Sequence, residues 1–401
     1  MCTHSIDDLV NSQQPGHSLQ QGFYRRPHIF DREIDRLFLK AWHYACHVSQ
    51  IPEVGDYFLF EMAGESVIIV RNEEHGISAL VNVCRHRGSR ICLEQTGRQK
   101  LFVCPYHGWT YELDGRLRAA KYTRDDFDKS EYGLKAAHVR VFHGMVFINL
   151  DSNAVPFDMI EEDLNERLRP YGLANAKVAA TQNYPIHANW KLAVENYTEC
   201  YHCRIAHPEY SRSHSLAKPE RKTAESCQAS NLRSASVGLS TEYFSHSFEV
   251  GRPVGLDTEY QRYPLFEGYE TGSRDGKPVA PLLGDLTGFN GAATDLQIGP
   301  MTFYLAYCDH VVIYHFSPHS VNSSNCTISW LVDADAEKGK DYKLEDLTWL
   351  WDVTTIADKR IIEANQAGVN SKFYEPGPYS KMEDLTQRFS EWYLDIMKGE
   401  E

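Results

Sequence analysis

The sequence predicts an α+β protein of two unequal parts: a small antiparallel β domain, followed by a larger domain in which an antiparallel sheet is covered by helices. Three observations predict it. From about residue 42 to 155, short β-branched and aromatic runs alternate with turn residues, the mark of small antiparallel strands. At 301–333 longer strand-like runs return, and they are followed by two stretches of helical periodicity at 346–367 and 381–397. The chain, at 401 residues, is long enough for two separate cores. The expected division is a helical N-terminal segment 1–41 packed on the larger domain, the β domain at 42–155, and the larger domain at 156–401.

In chain order, residues 29–42 carry apolar side chains at helical spacing, with Asp31 as the expected cap. Strands follow at 57–60, 66–70, 79–83 and 101–103, separated by Gly55-Asp56, Gly64 and His75-Gly76. Asp114-Gly115 marks a tight hairpin, and strands at 139–141 and 145–150 close the domain. A connecting helix is expected at 156–176. The stretch 211–300 is rich in Ser, Gly, Pro and charge and reads as a long irregular lid or substrate wall. Strands at 303–307, 311–316 and 326–332 precede the final helices.

Fifty-five acidic against forty-one basic residues leave a formal net charge of −14, which excludes a nucleic-acid backbone or an anionic membrane as the main partner. No run approaches eighteen apolar residues and the first residues lack a signal-peptide pattern, so a cytoplasmic protein is expected. Of ten cysteines, those at 2, 46, 92, 200, 203, 227, 308 and 326 are scattered and are expected as free thiols.

The remaining two cysteines belong to a motif in matched halves. Cys84-Arg85-His86 and Cys104-Pro105-Tyr106-His107 are separated by seventeen residues, and each half offers one thiolate and one imidazole. A structural zinc finger places its cysteines in one half and its histidines in the other. Mixed halves instead suit a [2Fe-2S] cluster of Rieske type, with both cysteines on one iron and both histidines on the second. Gly88 and Gly108 permit the tight loops that cover such a cluster.

A Rieske centre passes single electrons, so a second site must consume them. Glu199, His202 and His207 form Glu-x₂-His-x₄-His. Two histidines five residues apart on a continuous helix diverge by roughly 140°, so the helix must bend or end between them. Pro208 disfavours the α conformation for His207 and places it at or beyond the helix end. Two imidazoles and a carboxylate hold a mononuclear non-haem Fe(II) with positions open for dioxygen.

With both motifs in hand, the chain resembles the oxygenase components of Rieske non-haem iron oxygenases, over most of its length. The resemblance implies that the mononuclear iron takes His202 and His207 together with a carboxylate from a later helix, at Asp358; sequence pattern alone gives Asp358 little advantage over Asp352 or Glu363. It also implies that Glu199 links the two metal sites by hydrogen bonds rather than binding iron, and that Asn196 belongs to the catalytic surroundings. Most members have Asp at the Glu199 position, and Glu is typical of the branch acting on quaternary amines. The run Gln366–Ser371 and the segment Tyr374–Ser380 look like those of betaine demethylases.

The resemblance therefore implies a monooxygenase that uses O2 to N-demethylate a small betaine of the glycine betaine or proline betaine class, releasing formaldehyde. A fixed positive charge is best met by aromatic faces. Partners implied are a flavin- or ferredoxin-type reductase, through which alone NAD(P)H and flavin take part, and further copies of the chain in a homotrimer. Eight basic residues against three acidic ones between 84 and 121 suggest that the reductase docks on the cluster loops. A ring-hydroxylating oxygenase for an aromatic acid is the alternative reading. An electron-carrying ferredoxin is disfavoured by the length of chain beyond the β domain.

Overall fold

The computed structural model describes residues 5–72, 76–241, 244–245 and 258–398. Cys2, His75 of one expected turn, and part of the stretch expected to be irregular lie outside them.

Short strands between positive-φ glycines build a seven-stranded antiparallel sheet in the order His43–His47, Met145–Asn149, Ala136–Phe142, Ile77–Val81, Glu65–Arg71, Asp56–Met62, Thr96–Arg98. A three-stranded sheet of Phe102–Val103, Thr110–Tyr111 and Leu117–Ala119 stands beside it. Gly115 is required twice over in its turn: φ is +90°, and a Cβ there would lie 2.8 Å from the Leu80 side chain.

The larger sheet is also antiparallel and seven-stranded, ordered Ala176–Ile186, Ser323–Asp333, Val311–Ser320, Thr302–Ala306, Ala292–Ile298, Thr258–Pro264, Phe244–Ser245. Alternation of side chains across the pleat gives it two faces. Tyr260, Leu296, Tyr304 and Ile313 pack in one core with Ile160, Leu164 and Leu168 of the helix Asp158–Leu168. Tyr263, Phe303, Leu305, Tyr314 and Phe316 look the other way, into the core shared with the helices Trp190–Tyr197, Leu344–Val369 and Asp384–Lys398. The α+β class is as the sequence indicates.

Three elements differ from the sequence reading. The first helix begins at Pro27, not after Asp31: Pro at the first helical position removes an amide that has no partner there, and Arg26 is the N-cap residue. Asp31 lies inside that helix, which runs on as a π-helical turn over Ile34–Phe38. The expected connecting helix 156–176 stops at Leu168 and continues as 3₁₀ turns broken by Gly172, which takes φ +59° and abuts Gly284. The stretch 211–300 is largely ordered: it holds the helix Ala224–Ser236, capped by Thr223, and the strands Thr258–Pro264 and Ala292–Ile298.

The N-terminal helices lie against the C-terminal ones. Glu33, fully buried, pairs with Lys191 and accepts from Trp190 Nε1 at 2.9 Å and from the Tyr393 hydroxyl. Tyr24 donates at 2.9 Å to Glu195. Removing one partner from such a buried set leaves an uncompensated charge, a loss of about 3–5 kcal/mol. These contacts fix the helix that leads into the Glu199 segment.

Candidate active site

The two cysteine loops are near copies. Gly88 N–H donates to Cys84 O at 2.9 Å and Gly108 N–H to Cys104 O at 3.0 Å, while Cys84 N–H donates to Ser89 O and Cys104 N–H to Trp109 O. Gly88 and Gly108 take φ +78° and +69°, which closes both turns. Cys84 and Cys104 are buried. Burial pushes the Cys84 thiol up, and Cys104 beside it adds to this, while the Tyr111 hydroxyl at 3.2 Å opposes it. His86 and His107 are exposed, with ring centroids 4.6 Å apart, and His86 stacks on Trp109. Two buried thiols below two surface imidazoles fit a cluster whose inner iron takes sulfur and whose outer iron takes nitrogen.

The second constellation grows from the helix Trp190–Tyr197, capped by the Asn189 side chain, which accepts from Lys191 N–H. The helix ends at Tyr197, and a single turn, Cys203–Ala206, separates His202 at its N-cap from His207 at its C-cap. His207 leaves the helical region at φ −126° and ψ 69°, as the following Pro208 requires. The break turns both imidazoles toward the helix Leu344–Val369. There Leu347, Trp351 and Thr354 form a buried stripe, and Asp358 is its next member at helical spacing.

Ligand atoms of His202, His207 and Asp358 all lie within 4.8 Å of one another. Asp358 Oδ1 is 2.7 Å from His207 Nε2 and 3.2 Å from His202 Nε2. Asp352 and Glu363 are committed elsewhere, the first to the Tyr184 hydroxyl at 2.7 Å and the second to His187 N–H at 3.0 Å and Lys359 at 3.4 Å. Glu199 Oε1 accepts from His202 Nδ1 at 2.5 Å, so His202 presents Nε2 to the triad. Burial disfavours the His202 imidazolium, but the Asp358 and Glu199 carboxylates outweigh it and raise its pKa to about 9. The histidines hold Asp358 below the usual carboxylate range against the opposing effect of its burial. Anion excess of this kind is satisfied by a divalent cation. Asn196 Nδ2 stands 3.5 Å from His202 Nε2, at the limit of hydrogen-bond distance.

The triad opens into a cavity of about 390 Å³. Its walls are aromatic, with Tyr197, Tyr210, Tyr263, Phe303, Tyr314 and Trp351, and they also carry Glu259, Gln261, Asp295 and Gln297. Sequence reasoning missed these four polar residues. They sit on the two strands read as irregular, and only the alternation Glu259-x-Gln261-x-Tyr263 hints at a shared face.

Residues 173–399 match the ring-hydroxylating alpha subunit catalytic domain, and residues 41–140 match the Rieske [2Fe-2S] domain. The chain is 35% identical over 397 residues to the glycine betaine monooxygenase oxygenase subunit of Pseudomonas aeruginosa, covering 97% of this chain and 91% of that one. The Chromohalobacter salexigens subunit of the same description is also 35% identical, over 97% of this chain and 88% of its own. The chain is a Rieske oxygenase. Among solved structures, that of the quaternary ammonium Rieske monooxygenase CntA superposes with a TM-score of 0.74 at 22% identity, covering 98% of both chains. The Rieske oxygenase fold is therefore present across both sites, and the family's cofactors are the [2Fe-2S] cluster and the mononuclear iron.

One further expectation is corrected in this Rieske oxygenase, and one is narrowed. Cys200 and Cys203 are not free thiols but form a disulfide across the turn that presents His202; their spacing brings the two Cα atoms to 5.0 Å, within bridging reach. Cys46, Cys92, Cys227, Cys308 and Cys326 are free. The basic excess near the cluster is also smaller than the count suggests. Arg90 pairs with Glu61, Arg98 with Asp56 at 2.6 Å, Arg116 with Asp114 at 2.5 Å and Arg118 with Glu112 at 3.5 Å. Two of these acids, Asp56 and Glu61, lie on the strand Asp56–Met62, outside 84–121 and beyond the local count. Among the described residues, no helix is long and apolar enough to cross a membrane.

Proposed function

We propose that this Rieske oxygenase N-demethylates a small betaine, and that His202, His207 and Asp358 hold its catalytic iron while Cys84, Cys104, His86 and His107 hold the cluster. The observation that carries the reading is the aromatic-walled, acid-bearing cavity on which the triad opens. Aromatic faces attract a quaternary ammonium without competing as metal ligands. Asp295 and Glu259 in the same wall favour a positively charged group over the uncharged ring of an aromatic acid. The relatives named for glycine betaine, aligned over nearly the whole chain, support the same substrate class.

The iron, when bound, supplies dioxygen activation with electrons delivered through the cluster. The overall reaction balances as one N-methyl group, O2, two electrons and two protons giving an N-hydroxymethyl ammonium and water; that product releases formaldehyde, a proton and the tertiary amine. The chain's own residues set the stage. Glu199 fixes the His202 ring with Nε2 inward, Asp358 spans the two imidazoles, and the aromatic wall excludes water from the methyl group.

Electrons come from a reductase, and we place the enzyme in the cytoplasm, where NAD(P)H is supplied. We also propose a homotrimer in which one subunit's cluster faces the next subunit's iron. Exposed apolar side chains ring both sites: Val83, Leu93, Val103 and Tyr106 by the cluster, Tyr201 and Ile205 by the triad. Solvent is a poor neighbour for such groups, and two complementary patches suit a head-to-tail ring. Glu199 then lies where it can hydrogen-bond a histidine of each site. The test of function is formaldehyde release from a panel of betaines with a reductase and NADH. Turnover of aromatic acids with none of any betaine would reverse the assignment.

A further inference from the structure

Two carboxylates in the cavity wall, Glu259 and Asp295, are hydrogen-bonded to no side chain among the described residues. The strands Thr258–Pro264 and Ala292–Ile298 pair with Glu259 opposite Gln297 and Gln261 opposite Asp295, so all four side chains share one sheet face. The same rows continue across the sheet: Gln297 pairs with Phe303 and Phe303 with Tyr314, while Asp295 pairs with Leu305. One face therefore runs from an acid–amide quartet to an apolar and aromatic floor, and every one of these side chains lines the cavity. Its opposite face carries Tyr260, Leu296 and Tyr304 and is ordinary core.

Glu259 is 8% exposed, and among the described residues neither it nor Asp295 takes part in an ion pair or a side-chain hydrogen bond; Arg388 acts on Glu259 only through its charge, against the effect of burial. Their charges reach each other, diagonal across the strand pair, and burial raises the pKa of both. Asp295 also acts electrostatically on the phenols of Tyr197, Tyr210 and Tyr263. Tyr197 stacks on Phe303 at 4.2 Å and its own hydroxyl is buried without a partner; Tyr210 and Tyr263 stand hydroxyl to hydroxyl at 3.3 Å. A carboxyl set among three phenol rings, with a second carboxyl beside it, holds its proton by burial, and a cation entering there stabilises the ionised form. A quaternary ammonium is suited to the place, since it needs no hydrogen-bond acceptor and is attracted by ring faces and carboxylates alike.

Building on the betaine reading above, we propose that Asp295, backed by Glu259, is the counter-anion that seats the substrate's quaternary ammonium against Tyr197, Tyr210 and Tyr263. These residues then determine specificity by charge rather than by shape. A neutral molecule of the same outline fits the rings but leaves the carboxylates uncompensated.

The test compares glycine betaine with 3,3-dimethylbutanoate, its neutral-headed carbon isostere, and with tetramethylammonium, using calorimetry on the iron-loaded enzyme. The parent should favour glycine betaine over the isostere, and Asp295→Asn should shrink that preference by on the order of tenfold or more. Tetramethylammonium affinity should fall in parallel. Binding of the isostere should hold, which a general collapse of the cavity would not allow. Should Asp295→Asn fail to fold, Glu259→Gln carries the test, with a smaller loss in the same direction. Unchanged preference in a folded Asp295→Asn or Glu259→Gln variant overturns the inference. The two readings separate cleanly. A parent that selects the ammonium through Asp295 yet releases no formaldehyde overturns demethylation alone, and one that demethylates betaines with Asp295→Asn unaffected overturns the counter-anion alone.

Discussion

Replacing Glu199 with glutamine changes one atom's chemistry and almost nothing of its shape, so its consequences can be worked from the contacts. One carboxylate oxygen accepts from His202 Nδ1 at 2.5 Å; the other accepts from the Tyr201 N–H and, at 3.3 Å, from the His202 N–H. The side chain is 13% exposed, so water is a poor substitute for either set. A glutamine has one acceptor oxygen. With that oxygen toward the imidazole, its NH2 meets two backbone donors. Flipped, its NH2 meets Nδ1, which must then become an acceptor, and the proton moves to Nε2, the nitrogen directed at Asp358. The first arrangement leaves backbone donors unpaired in a largely buried place, a loss of about 1–3 kcal/mol, and the second puts a proton on the nitrogen that would bind metal. Hydrogen-bond partners of metal-binding histidines commonly govern about 10–100-fold in metal affinity, the same range. Iron affinity in the Glu199→Gln enzyme should therefore fall by about tenfold to a hundredfold. At saturating iron both metal centres should be retained, while oxidation of the reduced cluster in a single turnover is slowed. Glu199→Asp should recover part of both. The assays are chelator competition under anaerobic conditions and stopped-flow absorbance of the cluster. An iron affinity and a single-turnover rate indistinguishable from the parent's would remove Glu199 from its orienting and bridging roles, and a site that takes up no iron even at saturation would make it a ligand.

His202→Ala and His207→Ala should each abolish turnover while leaving the visible absorption of the Rieske cluster intact, because the cluster loops follow strands of the two N-terminal sheets whereas the triad sits on separate helices. Bleaching of the cluster in either variant would show that the two sites fold as one. Glu195, half-buried and hydrogen-bonded by Tyr24, should make thermal stability depend on pH. Burial raises its pKa to about 8, opposed by the Tyr24 hydrogen bond and by Lys191. A carboxyl whose folded pKa is raised loses its contribution as pH climbs from the ordinary value near 4.5 through about 8. Glu195→Gln should flatten that part of the melting-temperature profile, and profiles of equal slope would count against the assignment.

The residues proposed to bind metal were legible in the sequence to the extent that local spacing carries their geometry. Both Cys–His pairs proposed to hold the cluster sit within single loops, so two short motifs specify them. The bend between His202 and His207 was legible because Pro208 constrains the residue before it. Asp358 was not separable from Asp352 and Glu363 by pattern, since all three lie on one helix. What separates them is the companion each finds: Tyr184 for Asp352, His187 and Lys359 for Glu363, and the two imidazoles for Asp358. Those companions come from distant parts of the chain. The ion pairs of Arg90 and Arg98 escaped a local count for the same reason.

The cavity wall was hidden by its own function. A strand buried on both faces is recognised by apolar and β-branched residues. Thr258–Pro264 instead carries Glu259 and Gln261 on the face that meets the cavity, and this polar content is what made the stretch look like a loop. The register that sets Gln261 opposite Asp295 joins residues more than thirty positions apart, and it is held by the core face, through Tyr260 and Leu296, rather than by the cavity face. A one-residue slip would send the acids into that core and the core residues into the cavity. The hydrophobic face thus positions the charged one. Conflict between local composition and fold is expected where a protein keeps surface for a ligand, and in this oxygenase it falls on the strands that carry Glu259 and Asp295.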